Sequence, residues 1–152
     1  MKVKFFYERY HSPANELRGE IFNMALYGQL FGAPEEITMG YQSYLLSALR
    51  SDYGKDKECC DDVLNIIERL EKGEIDYYEG GGMGFMHLMT PESVTFEHII
   101  FGECYSWPRW TCPMAHYKAA LKGWRRFLDM PESIDSELII ELPEVNEKVS
   151  AD

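Results

Sequence analysis

Cys112-Pro-Met-Ala-His116 sets a thiol and an imidazole at a spacing that lets both reach one ion at a helix start, and His98, Glu103 and Cys104 just upstream are ligand types too. The same residues suit a second chemistry. A cysteine thiolate held beside a histidine is a nucleophile with its base, and Cys104 or Cys112 with His98 or His116 makes such a pair. Structural zinc sites are usually built from two close ligand pairs, however, and the second pair here would be Cys59-Cys60, whose adjacent sulfurs cannot both face one tetrahedral centre without strain. With four cysteines and four histidines in the chain, thiol–imidazole pairs also arise by chance. Buried free thiols and histidines at a strand and a helix start are the plainer expectation. No metal and no cofactor are therefore expected, and a small zinc- or thiol-dependent enzyme using Cys104, Cys112 and His116, or a general protein-interaction adaptor domain, stands as the alternative.

Gly80, Gly81, Gly82 and Gly84 invite comparison with a phosphate-cradling loop. A dinucleotide fingerprint lies between a strand and a helix, whereas these glycines lead into alternating residues. No Gly-Lys-Ser/Thr follows, and Glu79 would repel a phosphate. The glycines are expected to supply positive φ, a bulge or a close crossing of a sheet.

Two other groups suit contact rather than catalysis. Asp52, Asp56, Glu58, Asp61 and Asp62 crowd one helix start, where acids serve capping and the helix dipole or, with the later Glu132, Asp135, Glu137, Glu141 and Glu144 as a rival patch, meet a basic surface. Glu103, Tyr105, Trp107, Arg109 and Trp110 bring interface-anchoring residue types onto one connection. The tryptophans either anchor a partner or fold back over the core.

The elements that must carry these residues follow from periodicity. Residues 2 to 8 alternate, with Val3, Phe5 and Tyr7 on one face, which predicts a strand. Ser12-Pro13 signals a helix start, and Leu17, Ile21, Ala25 and Gly28 extend a helix to about Phe31. After Gly32-Ala33-Pro34, a second helix with Ile37, Tyr41, Tyr44, Leu45 and Ala48 inside ends near Arg50. A third carries Val63, Ile66, Ile67 and Leu70 and ends at Lys72-Gly73. From residue 84 the period is two: strands near 84–89 and 94–101 flank the turn Thr90-Pro91-Glu92-Ser93. An irregular connection leads to a last helix with the stripe Tyr117, Ala120, Leu121, Trp124, Phe127 and Leu128, then a strand near 137–142. The sum is an α+β fold: a single domain over 1–145 with a small antiparallel sheet packed against about four helices, and a frayed acidic tail at 146–152.

Composition narrows the function classes. The 152 residues carry a net charge of −11, which disfavours nucleic acid and anionic membranes and attracts a basic partner. No apolar run is long enough to span a bilayer and no signal peptide opens the chain, so the cytoplasm, with reduced cysteines, is expected.

Three pieces of the second half, Glu79-Gly80 before a strand, Pro91-Glu92-Ser93-Val94 at the turn and the helix His116-Tyr-Lys-Ala-Ala-Leu-Lys-Gly-Trp124-Arg-Arg-Phe-Leu128, resemble a pattern in small acidic bacterial immunity proteins of contact-dependent and polymorphic toxin systems. The resemblance spans about residues 74 to 142. It implies a catalytically inert, cytoplasmic antitoxin that binds one cognate toxin domain, often a basic nuclease, and covers its active site or substrate groove. It carries over no binding residues. The helices expected before residue 74 and the Trp-rich connection have no counterpart in that pattern.

Overall fold

The computed structural model describes residues 1–10 and 23–145. Strand β1 (Lys2–Tyr10) forms as the alternation requires, with Val3, Phe5 and Tyr7 buried. It is the middle strand of a three-stranded antiparallel sheet, flanked by β2 (Asn23–Phe31) and β7 (Glu137–Glu141).

Strand β2 corrects the first expected helix, whose opening residues lie outside the described ones. Leu26, Gly28 and Leu30 alternate opposite Tyr7, Phe5 and Val3. A chain of helix-compatible residues is thus recruited by the pairing face of β1, tertiary contact overriding local propensity. Gly28 keeps that face close: a Cβ would press on the Phe5 ring and Leu46 at 3.2 Å.

A helical run over residues 35–53, α1, follows Pro34. It is α-helical at Glu35–Gly40 and π-helical at Tyr41–Leu46 and Leu49–Tyr53, outlasting the end expected at Arg50. Tyr41, Tyr44, Leu45 and Ala48 face inward as expected, whereas Ile37 is exposed. The run stops at Gly54, whose φ is +54° and whose N–H donates to the Leu49 carbonyl at 2.8 Å, a π-type closure.

Helix α2 (Lys57–Glu71) is capped at both ends by its own sequence. Asp56 accepts from the Cys59 amide at 3.0 Å; at the far end Gly73 takes a φ of +75° while the Gly73 and Glu74 amides reach the Leu70 and Arg69 carbonyls. Cys60, Val63, Ile67 and Leu70 form its buried face.

The second sheet is four-stranded and antiparallel, in the order β3 (Tyr78–Gly81), β4 (Phe85–Met89), β5 (Ser93–His98), β6 (Trp110–Pro113). Two small sheets thus replace the single one expected, and β6 lies in the stretch expected to be irregular. Pro113, unable to donate to a further strand, sits at the sheet edge. β5 stops at His98, three residues short of expectation.

Helix α3 (Met114–Phe127) buries the predicted stripe, and Leu128 just beyond it, against both sheets. Trp124 lies edge-on to Phe5 at 5.6 Å and donates its indole N–H to the Gly54 carbonyl at 2.7 Å. Its outer face is tied to α2 by Lys118–Glu71 at 2.7 Å and Arg125–Asp61 at 2.9 Å. Three helices rather than four therefore complete the fold among the described residues, and one buried cluster draws on both sheets and all three. The acidic tail lies outside the described residues.

Candidate functional site

The C-terminal turn of α1 carries Ser51, Asp52 and Tyr53 to the β3–β4 turn, and there a buried polar chain crosses the molecule. His87 Nε2 donates to Asp52 Oδ2 at 2.7 Å; Nδ1 on the other side of the ring accepts from the Tyr117 hydroxyl at 2.8 Å, and Tyr53 donates to Tyr117 through a short contact. The remaining Asp52 oxygen accepts the Gly84 amide at 2.7 Å and the Ser51 hydroxyl at 3.3 Å. Every partner is satisfied in this one assignment of protons, so the chain braces α1, β4 and α3 together. Burial is its electrostatic signature: desolvation pushes the phenols of Tyr53 and Tyr117 above their ordinary range.

The glycines make that brace possible. A Cβ on Gly84 would stand 2.4 Å from Ser51 Oγ, one on Gly82 would stand 3.0 Å from the Asp52 backbone, and Gly81 has a φ of +139°. They let a hairpin turn lie directly against a helix end, the close crossing their spacing suggested.

Asp52 therefore leaves the acidic patch in which it was placed: its side chain is 1% exposed and already paired. Asp56, Glu58, Asp61 and Asp62 remain at the surface, but Asp56 caps α2 and Asp61 pairs with Arg125. Of the rival carboxylates, Glu132 pairs with Lys55 and Glu137 with Lys4.

The aromatic connection divides in two. Trp110 stacks on Tyr44 at 5.6 Å and meets Tyr41 edge-on at 4.8 Å; Gly40 makes room for it, since a Cβ there would stand 2.2 Å from the indole nitrogen. Trp107 packs on His98 at 4.6 Å and edge-on to Tyr44 at 5.9 Å, and Tyr44 donates to the Pro108 carbonyl. Both tryptophans are half-buried lids on the core rather than free anchors. Arg109 is exposed and pairs with Glu97 at 2.7 Å, Glu103 is exposed, and Tyr105 is wholly so at 102%.

The same connection carries exposed side chains that periodicity had assigned to a strand. Ile100 is 76% and Phe101 61% exposed, and Met83 in the neighbouring turn reaches 85%. Ile99 N–H donates to the Gly84 carbonyl at 3.0 Å, fastening the two loops into one surface. No protein-family model, curated protein or solved structure matches this chain. Function must be argued from this surface. The signal for it was present in His98-Ile-Ile-Phe-Gly102, where three consecutive apolar residues break the alternation before a glycine of φ +60°.

The candidate ligands for metal or thiol chemistry are not assembled. Cys112 is buried, and desolvation lifts its thiol well above the ordinary range; Cys60, at about 12, is raised mainly by burial and further by Cys59, while Cys104 lies exposed on its loop. His116 accepts from Tyr41 at 2.6 Å through Nδ1 and donates to the Pro143 carbonyl at 2.7 Å through Nε2, so both ring nitrogens are engaged. Among the described residues no group of three or more His, Cys, Asp or Glu is placed to hold a metal ion, and no helix is long and apolar enough to cross a membrane.

Proposed function

We propose that this chain is an immunity-type inhibitor that binds one basic protein partner, a cognate toxin domain, through the Met83–Ile100–Phe101–Tyr105 surface and so covers the partner's active site or substrate groove. The observation that carries the reading is that surface: four large apolar side chains displayed together on two linked loops of a chain with net charge −11. Exposed apolar side chains concentrated on joined loops suit docking rather than folding. The surrounding negative field would steer a basic partner in, and the apolar anchors would slow its release. The second-half likeness to immunity proteins supports the choice of an inhibitor over an adaptor, and the cytoplasm is where such an inhibitor would act. A nuclease fits the charge, because its own nucleic-acid groove is basic.

The test is affinity capture of the tagged protein from its native host, followed by activity assay of whatever elutes in stoichiometric amount. The expected result is a basic domain whose toxic activity is blocked in the complex and returns when Phe101→Asp releases it. A partner that keeps full activity while bound would make the chain an adaptor, and a partner indifferent to Phe101→Asp would place the interface elsewhere.

A further inference from the structure

Two strands bound the three-stranded sheet, and the chain treats their outer edges differently. On β2 the edge is closed from within: Gln42 of α1 accepts the Leu30 amide at 2.5 Å and donates to the Gly28 carbonyl at 3.3 Å, standing in for a further strand. On β7 the edge is left open. The Leu142 amide donates to the Met1 carbonyl at 3.0 Å, which fixes the phase of the ladder: Leu138, Ile140 and Leu142 turn their backbone groups to β1. The same phase follows from the far side of β1, since a Leu30 amide turned to Gln42 leaves Val3 and Phe5 bonding toward β7. Glu137, Ile139 and Glu141 therefore point their amides and carbonyls outward, and no hydrogen bond meets them among the described residues.

The side chains along this edge alternate as well. Leu138 and Ile140 pack against the core, whereas Glu137, Ile139 and Glu141 stand exposed on the outer face, Ile139 at 49%. One apolar side chain is thus flanked, two positions away on each side, by a carboxylate. Glu137 pairs with Lys4 at 3.5 Å; Lys2 lies opposite Glu141 in register, but Glu141 is in no ion pair among the described residues. Asp135 before the strand and Glu144 after it add two further carboxylates that are likewise unpaired among the described residues. A second copy of the chain is the wrong occupant. Two β7 strands paired antiparallel about Ile139 would set each Glu137 opposite the other copy's Glu141, like charge facing like charge.

We propose that the outer edge of β7 takes an extended, basic segment of a protein partner as an added antiparallel strand. The segment's backbone meets the outward groups of Glu137, Ile139 and Glu141, and its side chains run cation, apolar, cation opposite that row. In such an arrangement the main-chain bonds supply affinity and the alternate side chains supply specificity. This edge stands apart from the Met83–Ile100–Phe101–Tyr105 surface and can fail while that reading holds.

The probe is a peptide blocked at both ends, Thr-Arg-Thr-Val-Thr-Arg-Thr, titrated to millimolar concentration into the full-length protein while backbone amides are followed by NMR. Saturable movement and slowed hydrogen exchange are expected at the amides of Glu137, Ile139 and Glu141. The peptide with glutamate in place of each arginine should leave them unmoved. So should the original peptide N-methylated at its valine and both arginines, the donors that face the edge. Glu137→Gln combined with Glu141→Gln should weaken binding about fivefold, the factor for about 1 kcal/mol spread over two cross-strand charge pairs. Both side chains are exposed, so this variant should keep the parent's thermal midpoint. Equal response to the acidic or the N-methylated peptide, or no saturable movement of these three amides, overturns the proposal. Movement of the same amides with protein concentration alone also overturns it, by assigning the edge to a second copy.

Discussion

Replacing Asp52 by alanine removes the acceptor of three donors, the Gly84 amide and His87 Nε2 at 2.7 Å each and the Ser51 hydroxyl at 3.3 Å. Ser51 is exposed, so its hydroxyl turns to water without loss. His87 is 0% exposed, and its stranded N–H costs about 1–3 kcal/mol. The half-buried Gly84 amide loses a charge-assisted bond worth about 1 kcal/mol beyond that. A total near 3 kcal/mol is a large share of the ~5–15 kcal/mol that holds a domain together. It corresponds to a fall in Tm of roughly 6–12 °C for a chain of this size. Urea unfolding at pH 7 measures it directly, with the slope against denaturant expected to stay constant. Asp52→Asn, which keeps one acceptor oxygen, should fall between parent and alanine. In a double-mutant cycle, Asp52→Leu with His87→Phe should cost less than the two single changes added, because neither partner is then left stranded. A loss below about 1 kcal/mol in Asp52→Ala would refute the view that this chain braces the β3–β4 turn.

Three further outcomes follow from the same geometry. Trp110→Ala should cost about 3 kcal/mol of stability because it empties the space between Tyr41, Tyr44 and Phe96, while Tyr105→Ala should stay within about 0.5 kcal/mol; equal effects in urea unfolding would contradict the division of the loop. His116 is held below its ordinary value of 6.5, first by burial and further by the chain's amino terminus, against the Pro143 hydrogen bond that raises it. The unfolded chain therefore takes up this proton first: the His116 contribution is full above pH 6.5 and is lost as pH falls through the folded value, so His116→Gln should flatten that part of the acid limb in urea midpoints. A thiol reagent followed by mass spectrometry should label exposed Cys104 quickly and buried Cys60 and Cys112 only on unfolding; native labelling of Cys112 at the Cys104 rate would place that thiol wrongly.

What the sequence revealed depended on how strongly each segment was committed by its own residues. β1, α2 and α3 were legible because alternation or a helical stripe coincided with breakers, such as Gly73 after α2, although α2 starts at Lys57 behind its Asp56 cap, earlier than the acidic Asp61-Asp62 start its sequence suggests. β2 was not, because Leu26, Gly28 and Leu30 suit either period and only the facing Val3, Phe5 and Tyr7 select the strand. β6 was hidden for a similar reason: Trp110-Thr-Cys-Pro113 becomes a strand by pairing with Val94 and Phe96, and nothing local announces it. Within the connection 103–110, the structure divides the aromatic residues by exposure, which their types alone do not specify. The tryptophans found Tyr41, Tyr44, Phe85 and His98 waiting inside, and exposure passed to Ile100, Phe101 and Tyr105. The Asp52–His87–Tyr117–Tyr53 chain was beyond reach because its members come from three elements whose packing no spacing encodes.

The pairing of β1 with both β2 and β7 has a consequence for how the molecule comes into being. Residues 2–10 are made before residues 137–141, yet those later residues form one of their two neighbours. During synthesis β1 can zip only to β2, leaving its other edge, Lys2 to Phe6, with unpaired amides and carbonyls until β7 arrives. The four-stranded sheet has its strand pairs closer together along the chain, so it can close earlier at a smaller loop-closure cost. Assembly would then finish at β1, and its open edge is the place where a nascent or truncated chain would stick to its own kind.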